Sequence, residues 1–350
     1  MTTTFMIGPR RLSPDDPPYI VAEIGVNHDG RLDQARAMIS AAAQAGADAA
    51  KFQTFQAAEF MADRDLTYEY EAGGERVRES MYAMFKRLEL PRAWHTELQT
   101  HARTCGLDFL SSAADPLSAD LLAELGVPAL KLASEDLINL PLLRHVAGLH
   151  LPVILSTGMA DEAEIERALT TLHAGGCDAV LLLHCVSLYP TPDDEANLLR
   201  MVGLRERFGL PVGYSDHTRG SVASIAAAAL GAVLIEKHFT LDHALPGPDH
   251  AFSADPQELA ALVRDVRRAA QQRGTPALEP SPGERLARQQ FRRSVVAACD
   301  LAPGTCLAAE MLCLKRPGTG IAPHRLGELV GRRTRRHFAA DEPLCWEDVE

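Results

Sequence analysis

The stretch Val233-Leu234-Ile235-Glu236-Lys237-His238-Phe239 decides how this chain is read. Apolar residues, two of them β-branched, run into three ionisable ones, as in a buried parallel strand whose carboxyl end carries chemistry. The same design recurs upstream. Residues 211–217 end in Ser215, Asp216 and His217, and residues 179–185 lead to Ser187 and Tyr189. Residues 152–157 end in Ser156 and Thr157, and residues 129–134 carry Lys131 and Ser134. Residues 108–112 end in Ser111 and Ser112, residues 49–54 carry Lys51 and Gln53, and residues 19–26 close near Glu23 and Asn27. Helix-like stretches that stop at glycine separate most of these runs, such as Leu32–Ala45 before Gly46 and Pro116–Leu125 before Gly126. Residues 255–273 add an N-cap Asp255 with Pro256 at the first helical position. Strand, helix and glycine in alternation predict a (β/α)₈ TIM barrel, α/β in class, with its active site at the carboxyl ends of the strands.

The chain has 350 residues, more than the ~250 of a typical barrel, which leaves room for a second module. The division expected is a catalytic barrel over 1–273, a linker over 274–287 rich in Pro and Gly, and a small β-rich domain over 288–350. Residues 55–90 form an insertion after the second run, a lid or a rim with no readable role. The basic run Arg332 to Arg336 reads as a solvated face.

Composition excludes several classes. A net charge of −12 argues against nonspecific nucleic-acid binding. No apolar stretch approaches the ~20 residues of a membrane span, and residues 1–18 lack a signal-peptide core. A cytoplasmic protein is the expectation. Seven cysteines without a CxxC pair fit reduced thiols, with Cys105, Cys177 and Cys185 read as core. Lysine is scarce: five of the 35 basic residues, Lys51, Lys86, Lys131, Lys237 and Lys315. Three of the five fall inside strand runs, where a compact point charge suits anion binding and a structural ion pair is the competing reading.

His217 and His238 end consecutive strands, and neighbouring strands lie ~4.8 Å apart. Two imidazoles so placed can share one divalent metal. Mn²⁺, Co²⁺, Fe²⁺ or Zn²⁺ suit them better than oxygen-seeking Mg²⁺. Glu23, next in the circle, is a candidate to order a water or take a proton, against the alternative of an ion pair at the barrel bottom. Ser134, Ser156 and Ser215, with Lys51 and Lys131, can line a cradle for phosphate and carboxylate oxygens.

These residues also carry a resemblance. The strings from Ala22 to Gly30, Lys51-Phe52-Gln53, Lys131-Leu132-Ala133-Ser134 and Leu155-Ser156-Thr157-Gly158-Met159 resemble the sialic acid synthase family. So do Tyr189-Pro190-Thr191-Pro192, Gly213-Tyr214-Ser215-Asp216-His217-Thr218, Glu236-Lys237-His238-Phe239-Thr240 and Gly247-Pro248-Asp249-His250. Lys315-Arg316-Pro317-Gly318-Thr319-Gly320 is similar to the family's antifreeze-like SAF domain.

The resemblance implies condensation of phosphoenolpyruvate with the open-chain aldehyde of an N-acylated hexose, giving a nine-carbon 2-keto acid and phosphate. It implies that His217 and His238 hold a divalent metal, Mn²⁺ first with Mg²⁺ or Co²⁺ as alternatives, and that Glu23 activates or orients the attacking water. Lys51, Gln53, Lys131, Ser134, Ser156 and Ser215 would hold phosphoenolpyruvate, Tyr189 and Asp249 would face the sugar, and Ser112 and Ser187 would join them as substrate-binding residues. Arg316 would come from a partner's SAF domain in a swapped homodimer. Two departures stand out. Glu135-Asp136 occupies the place of a family glutamate, with Asp136 taken as its equivalent, and Ser187 stands where members acting on N-acetylmannosamine often carry Asn. A legionaminate- or pseudaminate-type precursor with a second acylated nitrogen therefore stays open. Two further readings compete: a Schiff-base aldolase using Lys51 or Lys131, and a noncatalytic binding protein.

Overall fold

In the computed structural model, which describes residues 4–350, the chain divides into two compact units, Met1–Gly274 and Thr275–Glu350. Of the stretch 1–18, residues 1–3 lie outside the described residues.

The first unit is a closed barrel of eight parallel strands in sequential order: β1 (Tyr19–Gly25), β2 (Ala49–Thr54), β3 (Asp108–Ala113), β4 (Leu130–Leu132), β5 (Val153–Ser156), β6 (Val180–His184), β7 (Val212–Asp216) and β8 (Leu234–His238). Each run singled out in the sequence is one strand. The helices that follow them are α1 (Leu32–Ala45), α2 (Arg92–Thr104), α3 (Pro116–Leu125), α4 (Leu140–Ala147), α5 (Glu162–Ala174), α6 (Leu199–Phe208), α7 (Val222–Ala229) and α8 (Pro256–Gln272). Asp161 and Asp255 cap α5 and α8 through full capping boxes. No helix among the described residues is long and apolar enough to cross a membrane.

Strand side chains alternate between faces, and the alternation stacks the barrel interior in layers. Val21, Ala49, Leu110, Ala129, Ile154, Leu181, Leu183 and Leu234 form an apolar lower cluster. Two residues further along several of the same strands stand Glu23, Lys51, Ser112, Lys131, Ser156 and Glu236, so polar groups sit directly above an apolar plug. The bottom is closed by a feature the sequence reading missed. A short hairpin, Phe5–Ile7 against Arg10–Leu12, adds Phe5, Ile7 and Leu12 to the plug. Nearby, Tyr19 donates to Asp108 at 2.5 Å and Arg10 pairs with Asp48 at 2.5 Å.

The insertion is structured. A short helix, Ala57–Phe60, precedes an antiparallel hairpin, Thr67–Ala72 with Glu75–Ser80, and a helix Met81–Leu88 capped by Ser80. In the second unit, Ser294–Ala297 pairs with Leu312–Lys315 over a core that includes Val295, Leu301, Leu329, Phe338 and Leu344. The expected linker is shorter than its composition suggested, because Pro282–Phe291 is helical. Ser281 accepts the Glu284 N–H at 3.2 Å and Glu284 accepts the Ser281 N–H at 2.8 Å, a capping box that starts a helix.

The inward position of β7 that the layers leave for Gly213 has no room for more. A Cβ there would stand 2.7 Å from Leu183 Cδ2 and 2.7 Å from the Leu234 carbonyl. Gly213→Ala is expected to cost ~1–3 kcal/mol through overpacking and to lower Tm by a few degrees in thermal denaturation. An unchanged Tm would mean that the strands can part at that level.

Candidate active site

The polar layer is a network of buried charges. Lys51 Nζ forms an ion pair with Glu23 Oε2 at 2.7 Å and lies 3.6 Å from Glu236 Oε2. It donates to Ser112 Oγ at 3.0 Å. Lys131 Nζ donates to Ser156 Oγ at 2.8 Å and to the Leu132 carbonyl at 3.2 Å, and lies 4.0 Å from Glu236 Oε1. Ser215 donates to Glu236 at 2.8 Å, and Gln53 donates to Glu23 Oε1 at 3.0 Å. The two carboxyls diverge. Burial raises Glu23 despite the neighbouring Lys51. Burial also acts on Glu236, but Lys131 and Lys51 together outweigh it and hold that carboxyl low. Burial lowers Lys131, whereas for Lys51 the pairing with Glu23 and Glu236 overcomes burial and raises it.

Beside this floor stand the two imidazoles. His217 Nδ1 lies 2.7 Å from the Val186 carbonyl. A carbonyl only accepts, so Nδ1 carries the proton and Nε2 keeps its lone pair. His238 Nδ1 is buried without a hydrogen-bond partner, 3.5 Å from Asp249 Oδ2. The ring centroids are 5.5 Å apart, and Tyr189 lies over His217 at 4.3 Å. Burial keeps both rings neutral, His217 down at about 4 and His238 well below its usual value. Two neutral imidazoles, one with an orphaned nitrogen, and a carboxylate suit a borderline divalent cation. A tighter trio occurs elsewhere, His243, Asp255 and Glu258, but both carboxylates there already cap α8.

The loop that presents Asp249 is strapped to the loop after β1. Asn27 Nδ2 donates to the Phe239 carbonyl and to Ser253 Oγ, each at 2.9 Å. Asp29, in left-handed backbone, meets His250 Nε2 at 3.1 Å and accepts from Gln34 at 2.7 Å. His250 Nδ1 in turn contacts Thr240 Oγ1 at 2.6 Å. Only glycine fits at 247, where a Cβ would stand 2.6 Å from His250 and 2.8 Å from Asp29.

One cavity of about 380 Å³ gathers these groups. Glu23, Lys51, Gln53, Ser112, Lys131, Ser134, Ser156, Ser187, Tyr189, Ser215, His217, His238 and Asp249 all line it. Ser134 Oγ accepts the Gly158 N–H at 3.0 Å and lies 3.1 Å from Cys185 Sγ. Arg316 belongs to the second unit, where its guanidinium lies 5.5 Å from the Phe291 ring. Asp136 stands outside the cavity lining. Residues Ser134–Ile138 form a 3₁₀ turn, in which successive side chains point roughly a third of a turn apart. Glu135 therefore lines the cavity and Asp136 does not. Asp136 accepts from Asn139 at 3.3 Å and leaves Oδ2 buried without a partner.

Other cavity residues escaped the sequence reading. Glu236 was noted at its strand end but given no role, although it lies two residues before His238 and so on the same face. Cys185, read as core, sits two residues beyond the inward Leu183. Phe55, Phe60, Tyr68, Met81, Met84 and Phe85 come from the insertion, where local sequence carries no sign of direction.

The NeuB family profile matches residues 38–277 and the SAF domain profile residues 292–350. The chain is 42% identical over 336 residues to the N,N'-diacetyllegionaminic acid synthase of Legionella pneumophila, covering 95% of this chain and 94% of that one. It is 34% identical to the pseudaminic acid synthase of Helicobacter pylori, covering 95% and 98%. The crystal structure of the N-acetylneuraminic acid synthetase of Leptospira borgpetersenii, in complex with citrate, superposes with a TM-score of 0.75 at 34% identity, covering 82% of this chain and 95% of that one.

Burial raises the Asp136 carboxyl to about 6, against the pull of Asn139. A value above that of an unfolded aspartate means the group favours the fold below about pH 4, and that this contribution is lost as pH rises towards 6. Asp136→Asn removes the buried charge. It is expected to stabilise the protein by roughly 2–3 kcal/mol at neutral pH and not at about pH 4, in urea denaturation at the two pH values. An equal gain at both would contradict the assignment.

Proposed function

Because the chain belongs to the NeuB family, and is thereby a phosphoenolpyruvate-dependent synthase of the sialic acid synthase type, we propose that it joins phosphoenolpyruvate to the open-chain aldehyde of an N-acylated hexose. The observation that carries this reading is a single cavity holding an anion-binding lysine floor beside two neutral imidazoles. A second acylated nitrogen on the hexose is favoured over N-acetylmannosamine by the higher identity to the legionaminic acid synthase (42%) than to the N-acetylneuraminate-9-phosphate synthase of Mus musculus (34%) and by Ser187 in place of Asn.

Lys51 and Lys131, with Ser112, Ser134, Ser156, Ser215 and Gln53, would receive the phosphate and carboxylate of phosphoenolpyruvate. Ser112, Ser156 and the carboxyls of Glu23 and Glu236 hold the two lysine amino groups in place, so binding needs little reorganisation. His217, His238 and Asp249 would hold a divalent metal, which when bound supplies Lewis-acid polarisation of a carbonyl. Asp249, Tyr189, Ser187 and Glu135 would meet the sugar chain. C3 of phosphoenolpyruvate then bonds to the aldehyde carbon, whose oxygen becomes a hydroxyl. Water adds to C2, oriented by Glu23, and the bond from C2 to the phosphate oxygen breaks to leave the ketone. Holding both reactants in one cavity supplies much of the rate. Arg316, supplied by a second copy of the chain in a swapped homodimer, would complete the mouth.

The test is phosphate release from phosphoenolpyruvate with Mn²⁺ and a panel of acylated hexoses, with product mass confirming a nine-carbon keto acid. No release with any of them removes the reading. His217→Ala and His238→Ala are each expected to lose bound Mn²⁺ by equilibrium dialysis and to fall at least ~10²-fold in turnover, with the metal-free Tm retained. Full metal occupancy in either variant would remove that imidazole from the metal site. Borohydride with both substrates is expected to leave the protein mass unchanged, and a trapped adduct on Lys51 or Lys131 would favour the aldolase.

A further inference from the structure

The insertion between β2 and α2 forms one wall of the cavity, and that wall is apolar. Phe55, Phe60 and Phe85 meet edge to face in a triangle, with centroids 5.6, 5.4 and 5.1 Å apart. Met81, Met84 and Tyr68 extend it along the cavity. The hairpin strand Thr67–Ala72 packs against the turn His250–Phe252, so the segment reaches over the cavity to the loop that presents Asp249. The cavity is therefore two-sided, with charged and hydroxyl groups on its floor and rings and thioethers facing them.

Neither substrate core explains such a wall. Phosphoenolpyruvate offers two anionic groups on three carbons, and the hydroxyls of an open-chain hexose lose hydrogen bonds against hydrocarbon. The methyl ends of N-acyl groups are the parts of the substrate that gain from contact with aromatic carbon and thioether sulfur. A hydroxyl at the edge of the wall adds a polar contact. Tyr68 makes no hydrogen bond among the described residues, and burial and the nearby Asp249 raise its pKa, so it stays protonated as a donor for an amide carbonyl.

Resting on the condensation proposed above, we propose that Phe60, Tyr68, Met81 and Met84 form an acyl-recognition wall that selects a hexose with two N-acyl groups over one with a single N-acyl group. The insertion is then a specificity element, and its side chains set which sugar is used while the floor sets the reaction.

The test compares kcat/KM for a 2,4-diacetamido hexose and for N-acetylmannosamine, at saturating phosphoenolpyruvate and Mn²⁺, in the full-length protein. Wild type is expected to prefer the diacylated sugar. Met81→Gln places an amide against the methyl and is expected to reduce that preference about tenfold, the scale of one apolar contact in a discriminating pocket. KM for phosphoenolpyruvate should stay constant, and Met81→Leu should restore the preference. Tyr68→Phe carries the same expectation with the fold less disturbed. Equal losses for both sugars, or an unaltered preference in both Met81→Gln and Tyr68→Phe, would overturn the wall. A wild type that turns over acylated hexoses but prefers the monoacylated one overturns the wall and leaves the condensation standing. A wild type idle with every sugar removes both.

Discussion

The ion pair between Lys51 and Glu23, coupled to Glu236 and Lys131, is the constraint on which the rest of the barrel depends. Four ionisable groups are removed from water at one level of a closed sheet. Each alone would carry a large desolvation cost, and the pairing and serine hydroxyls offset it. The arrangement holds only if β1, β2, β4 and β8 bring these residues to one height. Register sets Glu23 opposite Lys51 across β1 and β2 and sets His238 opposite Glu23 across β8 and β1, which puts the imidazole corner beside the floor. The apolar plug beneath, sealed by the N-terminal hairpin, keeps the charges from sinking into a dry core.

That charge balance also accounts for how an acidic chain can accept an anion. The net charge is −12, yet in the cavity Lys51 and Lys131 stand beside Glu23 and Glu236, so the floor itself carries as many cationic as anionic side chains. The imidazole corner is built in the opposite way, from neutral rings, with His217 oriented by the Val186 carbonyl and the Asp249 loop held by the contact of Asp29 with His250. Floor and corner meet in one cavity because consecutive strands of a barrel must close on each other.

Much of this was legible in residue order. The eight runs, the glycine stops and the caps of α5 and α8 are local signals, and each marks an element of the structure. Strand alternation also separates Glu236 and His238, which face inward, from Lys237, which pairs outward with Asp216 at 3.2 Å. The same rule could have found Glu236 as a site residue. The place of Asp136 rests on the resemblance alone: the strand ends before it, a 3₁₀ turn replaces the period of two, and Glu135 is the member of the pair that lines the cavity. The wall was hidden because loop and hairpin side chains have no fixed face until they dock.

The sequence by itself determined the barrel, the side on which the chemistry lies and the identity of its lysines, serines and histidines, because hydrophobic period and chain order are local properties. Only the tertiary structure decided which carboxyl enters the cavity at Glu135-Asp136, how Glu23 and Glu236 share two lysines, and that the insertion supplies an apolar wall. Those outcomes depend on contacts between residues far apart in the chain, whose distances and shared burial exist only after the sheet has closed.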